Sequence, residues 1–350
     1  MGIRYATREA VKRSLDFAET ARNNAAVDRA LAAASRDADR LCNRQAGGFW
    51  PEVRTRRFDF PDVASPTAWR LWLDSPELVS VTSVTSGGVT LDPASVLPRP
   101  DDGPPFDRIE LDRSSTATFG LGSTPQRDVT VTGVWGYSLD VETVGALAAS
   151  VSSTTATTID VTDGTVGVWD LLTIDSERLV VTGRANLDTT QVLGGSGLAG
   201  SSAAVAVTVS DGTKFTVDEV LTVEAERLLV TDVAGNTLTV RRAFDGTVLT
   251  SHAAGVPIYA ARRLTVTRGA LGTTAATHSS AAAVKRHVWP DLVSDYVVAA
   301  AGASVIATSS GMARTAGSGE RAQDVTAASL DGIATRLANG CGRRTRHRAV

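Results

Sequence analysis

The residues of this chain whose types could carry chemistry are four histidines, His252, His278, His287 and His347, and a set of carboxylates that recur in matched contexts. The segment IDVTDGTVGVWDLLTIDSERLVVT at 159–182 returns as VTVSDGTKFTVDEVLTVEAERLLVT at 207–231. Asp163-Gly164 then matches Asp211-Gly212, and Glu177-Arg178 matches Glu226-Arg227. A shorter echo pairs TVRRAFDGTVLTSHAAG at 239–255 with TVTRGALGTTAATHSSA at 265–281 and aligns His252 with His278. Repeated acids raise the possibility of a carboxylate pair for glycoside hydrolysis. Such a pair needs two different environments to separate its pKa values, whereas copied residues belong in equivalent roles such as turns and cross-strand ion pairs. The duplication therefore argues against an enzyme, and no catalytic residue is assigned.

Metal and cofactor chemistry fare no better. The sequence has neither HExxH nor CxxC, so no metal ligand is assigned, and His252 and His278 read as one turn residue copied twice. GSGLAG at 195–200 has the spacing of a dinucleotide fingerprint, but it leads into the strand-like AVAVTVS. A pyrophosphate site needs a helix N-terminus there, so the match is rejected and no cofactor is expected. No Walker loop or Gly-x-Ser-x-Gly elbow occurs. The last eight residues hold Arg343, Arg344, Arg346, His347 and Arg348. From the residues alone this tail could contact DNA phosphates, dock on an acidic surface, or remain a solvated end.

The elements that must position these residues follow from pattern and composition. The 350 residues suffice for two or three cores, and 43% hydrophobic content, 21% charge and a mean hydropathy of +0.01 describe a globular chain. With a net charge of −3, the whole molecule is not an electrostatic nucleic-acid binder. No unbroken apolar run of membrane-spanning length and no secretory signal is seen, which leads to the expectation of a protein assembled in cytoplasm without a membrane partner. The two cysteines, Cys42 and Cys341, form neither a disulfide framework nor a zinc spacing and read as plain thiols.

Helical spacing predicts helices over 8–22, with Thr7 as N-cap, and over 24–45, giving a helical hairpin. The Ala-rich second helix allows close approach, either within an ordinary helix pair or between subunits. Between 58 and 137, short alternating apolar runs separated by Gly and Pro predict an antiparallel meander or small barrel. Trp69 and Trp72 cannot both share one face of a regular strand, so either one reaches an interface or both fill the core. Residues 139–150 read as a helical or irregular link. Residues 154–285 read as two β units duplicated in tandem, and helices follow over 290–308 and 327–338, separated by a polar loop at 312–323. The expected class is α+β. Its segments are N-terminal helices (1–48), an antiparallel β segment (49–140), an inserted duplicated β module (141–287), and C-terminal helices with the basic tail (288–350).

The order and spacing of FWPEVRTRRFDFP, WRLWL, GPPFDRIELD, TPQRDVTVTGVWGYS, TVTRGALGTTAATH and the closing GRRTRHRAV extend over essentially the whole chain. In these the chain resembles the head-to-tail adaptor (connector) proteins of long-tailed phages infecting actinobacteria. The loop NRQAGGFWPE departs from that pattern, being Gly-rich where a compact Arg-aromatic turn is usual. The resemblance implies a structural virion protein of the neck, assembled in the host cytoplasm. It would form a dodecameric ring between portal and stopper, with a lumen through which genomic DNA passes during packaging and ejection. It implies a ring built from the helices at 24–45, 290–308 and 327–338, with Val27, Leu31, Leu41, Tyr296 and Leu330 at subunit interfaces. It also assigns Arg343, Arg344, Arg346, His347 and Arg348 to the portal contact. A second class stays open: a tail or capsid decoration protein whose β module binds host-surface glycans through exposed aromatics such as Trp169.

Overall fold

The computed structural model describes residues 2–17, 23–45, 47–59, 68–73, 77–120, 122, 124–313 and 327–342. Its helices are α1 (Arg8–Ser14), α2 (Asn24–Leu41), α3 (Asp291–Ala313) and α4 (Ala327–Cys341). The first strands are β1 (Glu52–Phe58), β2 (Arg70–Trp72), β3 (Leu78–Ser86), β4 (Val89–Thr90), β5 (Val96–Arg99), β6 (Arg108–Leu111) and β7 (Val129–Trp135). They continue as β8 (Val141–Ala146), β9 (Thr158–Asp160), β10 (Leu171–Ile174), β11 (Glu177–Val192), β12 (Ala206–Thr208) and β13 (Val220–Val223). The last are β14 (Glu226–Ala234), β15 (Thr237–Arg241), β16 (Pro257–Thr267) and β17 (Ala283–His287). The fold is mixed α+β, and the strand pairs are antiparallel.

The chain divides into two compact units. One comprises Met1–Ser35, Val141–Ala270 and Thr274–Ala334; the other joins Arg36–Asp140, Leu271–Thr273 and the chain from Thr335.

In the second unit, β1, β7, β3 and β4 form one sheet and β2, β6 and β5 another. Neither a sequential meander nor a closed barrel forms among the described residues, which corrects that expectation. β1 takes the distant β7 as its neighbour, in register from Glu52↔Trp135 to Phe58↔Val129, a long-range pairing that local alternation does not encode. Phe58, Leu71, Leu78, Ile109, Val131 and Trp135 fill the core, and Trp135 Nε1 donates to the Arg54 carbonyl at 3.0 Å. Arg44 lies 4.9 Å from the ring centroids of both Phe49 and Tyr137, so an Arg-aromatic cluster is present despite the glycines of that loop. Gly47 adopts a φ of +85°, and a Cβ there would meet the Trp50 ring at 2.6 Å. Both cysteines belong to this unit, and both are buried free thiols.

In the first unit, Thr7 Oγ1 accepts the Ala10 N–H and starts α1 as expected. The helix ends early, at Ser14, because Asp16 takes a left-handed φ of 53°. Val27, Ala30, Leu31 and Ala34 line one buried face of α2. α3 starts just after Pro290, whose carbonyl accepts the N–H groups of Val293 and Ser294. It buries Val293, Tyr296, Val297, Ala301 and Val305, and Gly302 lets it approach Leu15 closely: a Cβ there would sit 3.4 Å from Leu15 Cδ2. Among the described residues α3 is the one helix long and apolar enough to cross a membrane by length and composition.

The ten-stranded sheet of this unit runs β12-β15-β14-β13-β16-β11-β10-β17-β8, with β9 beside β16. The segment read as an irregular link contains β8, which pairs with β17. It escapes a pattern reading because an edge strand exposing Val141, Glu142 and Thr143 shows no alternation. The two repeated units have matching registers: Leu171↔Val180 to Ile174↔Glu177 in one, Val220↔Leu229 to Val223↔Glu226 in the other. They are nested, not tandem. The long pair β11–β16 stays in contact out to Val192↔Pro257, and the whole inner copy lies between those two residues. β9 beside β16 in the outer copy corresponds to β12 beside β15 in the inner one.

Candidate functional site

The repeated carboxylates, the aligned histidines and a pair of arginines converge into two buried clusters. In the inner copy, Glu226 opens β14 with its side chain fully buried and accepts Arg242 Nε and Nη2, both at 2.8 Å. It also accepts the backbone N–H groups of Ala243 (2.9 Å) and Thr250 (3.2 Å), and His252 Nε2 lies 2.8 Å away. The other ring nitrogen of His252 faces Glu224 at 2.7 Å. In the outer copy, Glu177 receives Arg268 Nε and Nη2 at 2.6 Å, Gly269 N at 2.9 Å, Ala276 N at 3.0 Å and His278 Nε2 at 2.9 Å. His278 Nδ1 faces Asp175 at 2.7 Å. Glu177 thus closes the loop from 268 to 278 onto the sheet, and Glu226 does the same for 242 to 252.

Burial alone would raise the pKa of each of these carboxyls. The guanidinium, the two backbone N–H groups and the imidazole outweigh it and hold both at about 2. The next repeated pair behaves differently. Glu219, bonded through both oxygens to Arg262 at 2.7 and 2.9 Å, is raised because burial dominates. Its counterpart Asp170 is pushed up to about 6 by burial, against the pull of Arg286 at 3.7 Å and the Gly167 N–H.

Glu177 and Glu226 have their oxygens occupied by protein donors, which suits them to fastening loops. Among the described residues no group of His, Cys, Asp and Glu is placed to hold a metal ion. His287 packs edge-on against Trp289 at 4.4 Å, and His347 lies outside the described residues.

The cross-strand partners differ from those that the sequence pattern offered. Glu177 and Glu226 bond not to their neighbours Arg178 and Arg227 but to Arg268 and Arg242. Arg227 instead reaches Asp245 at 2.8 Å. The signal was present, since Arg242 and Arg268 occupy the same position in the shorter echo, four residues into each TV-initiated segment.

Of the residues assigned to subunit interfaces, Val27 and Leu31 are fully buried and Tyr296 is buried, all within the chain's own core. Leu330 is half-buried, and Leu41 is 38% exposed. Arg343, Arg344, Arg346, His347 and Arg348 lie outside the described residues, as does most of the polar loop at 312–323. Trp169 is 4% exposed and its indole N–H donates to Asp28 at 2.8 Å, so it is not the exposed aromatic that a glycan platform would need. Asp28 also receives Arg8 at 2.6 Å, which fixes α1, α2 and the start of β10 together. Trp69 and Trp72 are half-buried beneath arginines: Arg70 sits 4.6 and 5.7 Å from their rings, and Arg108 covers Trp72 at 5.3 Å.

No protein-family model and no curated protein sequence matches the chain.

Proposed function

We propose that this chain is a structural virion protein, a head-to-tail adaptor that assembles as a dodecameric ring between portal and stopper and leaves a lumen for the genome. The observation that carries the reading is α3. It is apolar enough to span a membrane, yet Val298, Ala299, Ala300 and Ala303 are only half-buried and Ile306 is 37% exposed in the single chain. An apolar helix left partly uncovered calls for a further surface to cover it, and a ring of identical subunits supplies one. The sequence resemblance names the assembly. The occupied state of Glu177 and Glu226 favours a scaffold over an active site.

In this reading the helical segments form a connector core, the nested β module is an insertion decorating the ring, and residues 343–350 reach the portal. The subunits meet through α3, Leu41 and Leu330, while Val27, Leu31 and Tyr296 stiffen the helices from within. The test is native mass spectrometry and negative-stain imaging of the purified chain, alone and mixed with its portal. A ring in either sample supports the proposal. A monomer that ignores the portal, or a chain that partitions into lipid vesicles through α3, overturns it.

A further inference from the structure

Within the first unit, a cavity of about 260 Å³ lies between α1, the start of α2 and the strands of the nested copies. Its wall carries four cationic side chains, Arg8, Lys12, Arg184 and Arg227, and one carboxylate, Glu9. The cations Arg8 and Arg227 are oriented by carboxylates behind them, Asp28 at 2.6 Å and Asp245 at 2.8 Å.

Arg184 is the informative member. Its side chain is only 8% exposed, yet its one hydrogen bond among the described residues runs from Nη2 to the Gly164 carbonyl at 3.2 Å. The Glu9 carboxylate stands 3.6 Å from Nη1, beyond hydrogen-bond length, and is itself engaged by the Val168 N–H at 2.7 Å. A guanidinium has five N–H donors in a planar fork, and among the described residues those of Arg184 have the Gly164 carbonyl and the Glu9 ion pair as partners. Beside it, Asn186 donates to the Thr222 hydroxyl at 3.2 Å, which leaves the Thr222 proton available to a further acceptor.

We propose that this cavity binds a small oxyanion of the phosphate class, a free phosphate or diphosphate group. Arg184 supplies the bidentate fork, Arg8, Lys12 and Arg227 supply the surrounding positive charge, and Thr222 supplies a neutral donor. The planar fork matches the spacing of two phosphoryl oxygens; with Asp28, Asp245 and Glu9 beside three of the cations, the net positive charge of the lining is that of Lys12. Because the wall draws on α1, α2, β11, β13 and β14, a bound anion would tie the helices to the nested module. The inference is independent of the adaptor reading.

The test uses the full chain and sodium pyrophosphate as probe, with inorganic phosphate as the smaller anion and sodium chloride at matched ionic strength as control. Titration calorimetry and thermal unfolding should show saturable heat and a saturable rise in Tm with pyrophosphate, absent with chloride. Arg184→Gln should weaken binding at least about tenfold, as expected for loss of a charge-assisted bidentate contact. Thr222→Val, a conservative change on a half-buried strand position, should weaken it about threefold while leaving the circular dichroism spectrum unchanged. No saturable response in the wild-type chain overturns the proposal. So does binding that survives both substitutions, or a Tm rise that chloride reproduces.

Discussion

At the scale of single residues, Glu177 and Glu226 each gather a guanidinium, two backbone N–H groups and an imidazole in space closed to water. Their folded pKa values, about 2, lie below the usual glutamate value of about 4.3 in an unfolded chain. A depressed carboxyl contributes stability that is fully present above the unfolded value and is lost as the pH falls toward the folded one. The fold should therefore lose stability between about pH 4.5 and pH 2, on the order of 3 kcal/mol for each cluster. Denaturant midpoints measured across that range check this. Glu226→Gln should cost about 3 kcal/mol at neutral pH and flatten the acid slope, because it leaves Arg242 and His252 buried against a neutral amide. The cysteines make a second expectation. Burial pushes the Cys42 thiol up to about 12 and raises Cys341 as well, so neither should react with a thiol reagent in the native state, and both should react at the rate of unfolding. The sequence made the Glu and His members of the clusters visible through their repetition. It did not reveal Arg242 and Arg268 as partners, because a bidentate pair forms across strands at distances that adjacency along the chain does not report.

At the scale of elements, the order of the echoes carries a topology that similarity alone hides. The outer copy contributes the first long segment and the last short one, at 159–182 and 265–281, while the inner copy contributes both segments between them. That order fits nesting and not tandem repetition, and the β11–β16 pairing realises it. Leu193 and Val256 face each other across this pair, the Leu193 N–H donating to the Val256 carbonyl at 2.9 Å. Excising 194–255 and joining the ends with Asn-Gly, a turn suited to a two-residue hairpin, should leave an outer copy that still folds. Circular dichroism and a cooperative thermal transition check it; a chain without a transition would show that the two copies fold only together. The strand β8 and the partner of β1 were not legible for a related reason: each pairing is with a distant neighbour, β17 or β7, although the alternation from Thr55 marked β1 itself as a strand. The helices were legible because 3.6-residue spacing is local, although Asp16 stops α1 before its pattern does. Within α3, Val297→Ala should destabilise the monomer by about 2 kcal/mol, since Val297 is fully buried, whereas Ile306→Ser, at a side chain 37% exposed, should leave the monomer folded with a lowered Tm.

At the scale of the whole molecule, the two α3 substitutions separate folding from assembly. If α3 is covered by a second subunit, Ile306→Ser should lower the oligomer fraction in analytical ultracentrifugation while the monomer stays folded, because the exposed part of its side chain adds buried apolar area when a partner covers it. The size and hand of a ring depend on interface angles between subunits, which no pattern along one chain specifies. The most direct measurement of the central claim is therefore the native mass of the purified chain with and without its portal, read together with negative-stain images. The adaptor reading predicts closed rings, free or formed on the portal, with a central opening wide enough for duplex DNA. A population that stays monomeric with the portal present would contradict it.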